Sequence, residues 1–199
     1  MGKEGVIYRI ILMKQEEEVK KGFAKITPGL TCLLRLSEGD SLLTGLYALQ
    51  HFVSGQKNEG IYIACNTNSP VDFLGNYFEA HAIDTDMLHF IDSVSIPLLE
   101  RKRVQKENFV YLEENHPSQL LLALDNAVEK RPKANFVYLD SLTELLKYHD
   151  AELVLAFLEK LVGRIRDFRM SGLVLAYYGE REQQIITEAL SHCDFHMEI

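Results

Sequence analysis

The sequence predicts an α/β fold, with a mostly parallel central sheet and helices on both of its faces. Short apolar runs, rich in β-branched and aromatic residues, alternate along the chain with segments whose apolar residues recur at helical spacing. One of these runs, 136–140, ends on the carboxylate of Asp140, and residues 141–144 then begin a helix. An acid at the end of a buried parallel strand lies where open α/β sheets bind their ligands.

The composition is that of a globular protein of one domain. The chain has 199 residues, of which 47% are hydrophobic and 25% are charged. Its formal net charge of -8 opposes broad binding to nucleic acid. The basic cluster Arg101-Lys102-Arg103, with Lys106 nearby, leaves a local nucleic-acid contact open, but a solvated loop is the favoured interpretation.

The cysteines and the N-terminal segment indicate a protein of the cytoplasm. Cys32, Cys65 and Cys193 lie far apart and form no CxxC pair, which predicts buried thiols in a reducing compartment. The histidines do not occur at metal-ligand spacing, so no metal site is predicted. The apolar run 6–13 is short and includes Arg9, which disfavours a signal peptide or a membrane helix.

The periodicity of apolar residues assigns elements to most of the chain. Residues 1–25 are expected to form an N-terminal extension, and 26–199 a single domain. Residues 109–112 fit either a short strand or a packed loop. The predicted strands are 30–36, 61–65, 87–92, 136–140, 173–178 and 193–199, and the predicted helices are 42–53, 70–80, 117–129, 151–168 and 180–191.

Three stretches of this order carry a resemblance to a known family. Residues 137–145, VYLDSLTEL, resemble the Walker B region of the RecA/KaiC-like superfamily of P-loop ATPases. Residues 60–63 followed by Ser69-Pro70, and residues 88–92, are similar to the second and third strands of that family. The resemblance implies a RecA-like three-layer sandwich with strand order 3-2-4-5-1. It also implies that Asp140 corresponds to the carboxylate that holds magnesium in active members.

The loop that should hold the nucleotide phosphates departs from the family pattern. A Walker A loop needs glycines, a lysine for the phosphates and a hydroxyl for magnesium. Here no lysine occurs between Lys25 and Lys57, and Glu38 and Asp40 place negative charge where phosphates should lie. The positions that remain as remnants of a cofactor site are Ser37, Gly39, Asp40, Ser41, Thr44 and Asp140.

The carboxylate that activates water in family members is also missing. No Glu or Asp occurs between Gly60 and Val71, and the corresponding stretch is Asn66-Thr67-Asn68. We therefore expect no ATP hydrolysis, no catalytic residue and no bound cofactor. Asp140 is then interpreted as a relic that caps the following helix, where Ser141 and Glu144 have the spacing of a capping box.

Three functions remain open at this point. The favoured one is a non-catalytic scaffold or regulator that works as a homo-oligomer or with an active RecA/KaiC-like partner. The alternative is a binder of a small polar ligand or nucleotide in the degenerate crevice formed by 37–41, 66–68 and Asp140. An atypical ATPase with a lysine from elsewhere ranks last. Tyr177-Tyr178, at the end of a strand, is expected to fill space or an interface.

Overall fold

A computed structural model of the protein describes residues 21–36, 41–67, 74–95, 107–177 and 183–198, with 41–44 described by their backbone. Several predicted features therefore lie outside the described residues. They are most of the N-terminal extension, Ser37, Gly39, Asp40, the side chains of Ser41 and Thr44, Asn68, Ser69-Pro70, the basic cluster 101–106 and Tyr178. The predicted domain boundary at residue 26 stays a prediction.

Seven parallel strands form one sheet in the order β4-β3-β2-β5-β6-β1-β7. The strands are β1 Thr31–Leu36, β2 Glu59–Ala64, β3 Leu88–Asp92, β4 Phe109–Tyr111, β5 Ala134–Asp140, β6 Ser171–Tyr177 and β7 Phe195–Glu198. The five inner strands reproduce the expected order 3-2-4-5-1, with the strand of Asp140 inside the sheet. The short β4 and β7 extend it at the two edges, so residues 109–111 are a strand and not a packed loop.

Helices cover both faces of the sheet. They are α1 Ser41–Gln50, α2 Gly75–Ala80, α3 Pro117–Lys130, α4 Leu142–Tyr148, α5 Ala151–Asp167 and α6 Gln183–Ala189. A π-helical turn, His51–Gly55, continues α1. No helix in the described ranges is both long and apolar enough to cross a membrane.

Two hydrophobic clusters lie on opposite sides of the sheet. Alternate residues of each strand point to one cluster or the other, as the period of a β-strand requires. One cluster contains the inner faces of α3, α4, α5 and α6, and the other contains those of α1 and α2. The predicted fold class, a three-layer α/β sandwich, is thereby confirmed.

The buried face of α5 differs from the predicted one. The sequence places Leu153, Phe157, Leu161, Ile165 and Phe168 on one apolar face of this helix, but Leu153 and Phe168 are 40% and 41% exposed. Phe168 follows the last helical residue, and a helix of 3.6 residues per turn rotates its buried face away from a strict i, i+4 series. The residues that do enter the core are Val154, Phe157, Leu158, Leu161, Val162 and Ile165.

The edge strand β7 is held to β1 by side chains as well as by backbone pairing. Asp194 accepts a hydrogen bond from the backbone N–H of Thr31 at 2.8 Å and pairs with Arg166 at 2.8 Å. Arg35 on β1 lies 3.4 Å from the Glu198 carboxylate. These contacts fix the register of a strand that is only four residues long.

Candidate functional site

Asp140 lies at the carboxyl end of β5, in the middle of the sheet, and its carboxylate is hydrogen-bonded to other side chains. Tyr62 donates its hydroxyl proton to Oδ2 at 2.8 Å. The other oxygen, Oδ1, accepts from the Tyr177 hydroxyl at 2.8 Å and from Asn66 Nδ2 at 3.2 Å. Asn66 Nδ2 also lies 3.0 Å from the Tyr177 hydroxyl oxygen. Three side chains therefore enclose this carboxylate, two from β2 and the residues that follow it and one from the end of β6.

This network is buried, which affects the acid-base chemistry of its members. Asp140 is 3% exposed, and burial raises its pKa above the ordinary value. The hydrogen bonds from Tyr177, Tyr62 and Asn66 act in the opposite direction and stabilise the ionised form. Burial, together with the charge of Asp140, also raises the pKa of the Tyr62 and Tyr177 hydroxyls, so both stay protonated donors.

The space beside Asp140 is small. A cavity of about 10 Å³ is lined by Gly45, Leu46, Tyr62, Tyr138, Asp140, Leu175 and Tyr177. A Cβ atom at Gly45 would come within 2.6 Å of the Tyr138 hydroxyl oxygen, so α1 packs closely over this point. A volume of about 10–15 Å³ holds one water molecule.

The helix that follows Asp140 is capped by Ser141 and not by Asp140. The Ser141 hydroxyl accepts a hydrogen bond from the N–H of Glu144 at 3.3 Å, and the Asp140–Ser141 peptide bond is cis. The prediction that Asp140 caps α4 is wrong, because its two oxygens point to Tyr62, Tyr177 and Asn66. The capping role belongs to Ser141, as the capping-box spacing allowed.

Glu144 adds a second buried carboxylate to this edge of the sheet. It is 1% exposed, accepts a hydrogen bond from the Thr67 hydroxyl at 2.9 Å and forms an ion pair with Lys147. The resemblance seen in the sequence implied a missing water-activating acid at Asn66 and Thr67. In this protein both side chains donate hydrogen bonds to carboxylates, Asn66 to Asp140 and Thr67 to Glu144.

Asp92, at the end of β3, is a third buried acid at the same edge. Its Oδ1 accepts from the N–H groups of Val94 and Ser95 at 2.9 and 2.8 Å, and its Oδ2 accepts from the Ser95 hydroxyl at 2.6 Å. Register places both Asp92 and Asp140 opposite Ala64 of β2. Asp92 thus shapes the turn after β3, while Asp140 is engaged with neighbouring strands.

A larger cavity, of about 470 Å³, opens near the ends of β2, β3 and β4. We call it the histidine cavity, because the rings of His116 and His149 meet edge to face in it with centroids 5.5 Å apart. The described lining residues of this cavity and of the small cavity at Asp140 show no overlap. Its described lining consists of Thr67, Ser93, Val94, Glu113, Glu114, Asn115, His116, Tyr148 and His149. Among the residues that the structure describes, no group of three or more His, Cys, Asp or Glu side chains is arranged to hold a metal ion.

The sequence placed Asp140 at a strand end but did not connect the two tyrosines to it. Tyr177 was expected to fill space or an interface, and Tyr62 was only part of the predicted strand 61–65. Of the other remnant positions, Ser41 and Thr44 belong to the first turn of α1 by their backbone, and Ser37, Gly39 and Asp40 lie outside the described ranges. The polar residues Asn66 and Asp140 of the expected crevice do come together.

Comparison with known proteins rests on structure, since no protein-family model and no curated sequence matches the chain. The KaiC-like protein PH0186 of Pyrococcus horikoshii matches with a TM-score of 0.54 and 11% identity, over 76% of this chain. This chain has a KaiC-like fold. A second P. horikoshii structure, of the uncharacterized protein PH0321 in complex with an unknown peptide, matches with a TM-score of 0.69 and 13% identity.

The two matches cover different shares of the two P. horikoshii proteins. The match to PH0321 covers 92% of this chain and 82% of that protein. The match to PH0186 covers only 62% of that protein, so this chain spans less than two thirds of it. At such identities the likeness establishes the RecA/KaiC-like fold and carries no residue roles with it.

Proposed function

We propose that this protein is a non-catalytic protein of the KaiC-like fold, which acts as a scaffold or regulator by binding protein chains. The observation that carries the proposal is the use of the Asp140 carboxylate within the protein. Both of its oxygens accept hydrogen bonds from side chains, namely Tyr62, Tyr177 and Asn66. In a nucleotide-hydrolysing protein of this fold the equivalent carboxylate serves a magnesium ion.

The residues around Asp140 do not fit a magnesium nucleotide. Magnesium requires oxygen ligands in octahedral geometry at about 2.0–2.1 Å and usually keeps several waters. The cavity beside Asp140 has a volume of about 10 Å³, and hydroxyl and amide protons already point at the carboxylate. The sequence supports the same conclusion, because no lysine between Lys25 and Lys57 is present to neutralise phosphates.

Association with polypeptide is supported by a structure of the same fold. PH0321 was solved with an unknown peptide, and this chain matches it over 92% of its length. We extend the idea of a polypeptide ligand to this chain, with a second copy or an active KaiC-like protein as the expected partner. The net charge of -8 disfavours nucleic acid. We place this activity in the cytoplasm.

Calorimetry and ATPase assays on the purified protein test the catalytic half of the proposal. We expect no heat of binding and no rise in melting temperature with ATP and magnesium. The melting temperature is informative because a ligand that bound the folded state would raise it. Phosphate release should equal that of the Asp140→Asn variant. Magnesium-dependent turnover abolished by Asp140→Asn would instead establish an atypical ATPase, and saturable ATP binding without turnover would favour the polar-ligand alternative.

Light scattering coupled to gel filtration tests the association half. A defined oligomer, or a stable complex with a co-purified KaiC-like protein, is the expected result. A monomer at micromolar concentration that retains no partner would count against a scaffold role.

A further inference from the structure

The histidine cavity has the size of a ligand site and lies at the functional edge of the sheet. Its volume of about 470 Å³ falls within the usual range for ligand pockets, about 300–1,000 Å³. It opens beyond the carboxyl ends of β2 and β3, where parallel sheets bind their ligands. No side chain of the Asp140 network is among its described lining residues.

The charge of the described part of this cavity favours a cation. Glu113 and Glu114 lie exposed at its rim, and none of its described lining residues is a lysine or an arginine. The nearby carboxylate of Glu144, which accepts from Thr67, is already paired with Lys147, so the negative charge at the cavity comes from Glu113 and Glu114. The negative charges of these glutamates repel phosphate or carboxylate ligands and attract an ammonium or guanidinium group.

The aromatic groups of the cavity favour a planar cation. Tyr148 is 58% exposed, and its ring lines the cavity together with the two imidazoles. His149 Nε2 donates to the backbone oxygen of Asn115 at 2.5 Å, and His116 Nδ1 accepts from the N–H of Ser118 at 3.3 Å. These bonds hold the two rings in place. A guanidinium group stacks on aromatic faces and donates hydrogen bonds in its plane, so it suits this lining better than an ammonium group.

The proposed function indicates a peptide as the carrier of that cation, because a structure of the same fold holds an unknown peptide.

We propose that the histidine cavity binds an arginine side chain presented by a peptide segment of a partner protein. This inference rests on the proposed function, since it names the chemistry by which a partner chain is held. The guanidinium lies against Tyr148 and the imidazoles, with Glu113 and Glu114 neutralising its charge.

Fluorescence anisotropy with capped short peptides tests the site directly. The probe carries one central arginine among glycines and alanines, and the matched peptide carries citrulline, which keeps the shape and removes the charge. We expect saturable binding of the arginine peptide and at least about tenfold weaker binding of the citrulline peptide. The Glu113→Gln/Glu114→Gln and Tyr148→Ala variants should each weaken the arginine peptide by about fivefold or more.

A control variant separates a site from general attraction to an acidic protein. Glu159→Gln/Glu188→Gln changes the net charge by the same amount at two exposed helix positions outside the cavity, and should bind the arginine peptide as the unmodified protein does. Equal weakening by the two double variants, equal binding of citrulline, or no saturable binding would each overturn the proposal. Spermidine binding as tightly as the arginine peptide would overturn the assignment to a peptide.

These outcomes are distinct from those that test the proposed function. Arginine-peptide binding by a protein that also hydrolyses ATP would leave the cavity standing and remove the non-catalytic assignment. Absence of peptide binding in a protein that also binds no nucleotide would remove the assignment of the cavity and leave the non-catalytic assignment standing.

Discussion

His89, near the start of β3, is a buried histidine whose ring nitrogens lack hydrogen-bond partners among the described residues. It is 2% exposed, and burial, helped by the nearby charges of Arg131 and Lys130, lowers its pKa to about 4 from an ordinary value of 6.5. In the unfolded chain His89 therefore takes up a proton near pH 6.5, and in the folded chain only near pH 4. The stability that the neutral ring provides is complete above pH 6.5 and is lost as the pH falls from 6.5 to 4.

Replacing His89 with leucine should remove this pH dependence. Between pH 7 and pH 4 the unmodified protein should lose up to about 3 kcal/mol of unfolding free energy more than His89→Leu does. Urea denaturation of both proteins at several pH values measures the difference. His196→Leu, at an exposed position of β7, is the matched control and should keep the slope of the unmodified protein. Parallel slopes in all three proteins would contradict the effect assigned to His89.

The hydroxyl donors around Asp140 should stabilise the protein mainly while that acid is ionised. Tyr177→Phe and Tyr62→Phe each remove one donor from a buried carboxylate, so each should cost about 1–3 kcal/mol of unfolding free energy at pH 7. The loss should shrink as the pH falls and the carboxyl group becomes neutral. Chemical denaturation at pH 7 and pH 5 tests this, with Tyr77→Phe, at a site that is 45% exposed, as the control.

The contrast between Asp140 and its partners shows what a sequence reveals about single residues. The strand-end position of Asp140 and the spacing of Ser141 to Glu144 are local features, and both were predictable from neighbouring residues. Tyr62 and Tyr177 lie 78 and 37 positions from Asp140 along the chain. Their hydroxyls reach it because β2 and β6 pair with opposite sides of β5, and no local pattern contains that pairing.

At the scale of elements, the periodicity of apolar residues predicted long elements well. It did not resolve the short strand β4 or the change from α-helix to π-helix after α1. The helix α3 begins at Pro117 as predicted and ends at Lys130, one residue past the expected end. The strand β4 has three residues, which is too short for alternation to show. The residues that continue α1 as a π-helical turn carry the same apolar spacing as an α-helix, so the change of helix type was not predictable.

Two glycines test how elements pack. Gly60 lies inside β2 opposite Phe136, and a Cβ there would come within 2.1 Å of the buried ring. Gly60→Ala should therefore cost about 1–3 kcal/mol or more through overpacking. Gly163 in α5 has no atom within 4 Å of such a Cβ, so Gly163→Ala should stabilise by about 0.5–1 kcal/mol through helix propensity. Thermal unfolding of the two variants compares them, and a shift in the same direction for both would contradict this packing.

At the scale of the whole molecule, the strand order came from the resemblance to KaiC-like proteins and not from periodicity. Apolar runs indicate that strands exist, but many orders of seven strands satisfy the same pattern. The Walker B-like string at 137–145 selected one order, and the sheet has it. The histidine cavity had no comparable signal, because its walls come from turns after three strands and from the end of α4.

The three free thiols provide a measure of how the whole molecule opens. Burial raises the pKa of Cys32 and of Cys193 to about 12, and that of Cys65 also rises. Because the thiolate is the reactive form, labelling of the folded protein at pH 8 by an aromatic disulfide should be slower than that of the unfolded chain. The factor should be on the order of a thousand. Labelling as fast as in urea would contradict this burial.

The dependence of labelling on denaturant should distinguish the edge of the sheet from its centre. Cys65 follows β2, which pairs on both sides, so it should react only through global unfolding and accelerate steeply with urea. Cys193 precedes β7, which pairs with β1 alone over four residues, so local detachment of β7 should label it with a weak urea dependence. Asp194→Ala removes the acceptor for the Thr31 N–H and the partner of Arg166. It should therefore accelerate labelling of Cys193 and leave that of Cys65 unchanged at low urea, whereas equal acceleration of both thiols would mean that β7 opens only with the whole sheet.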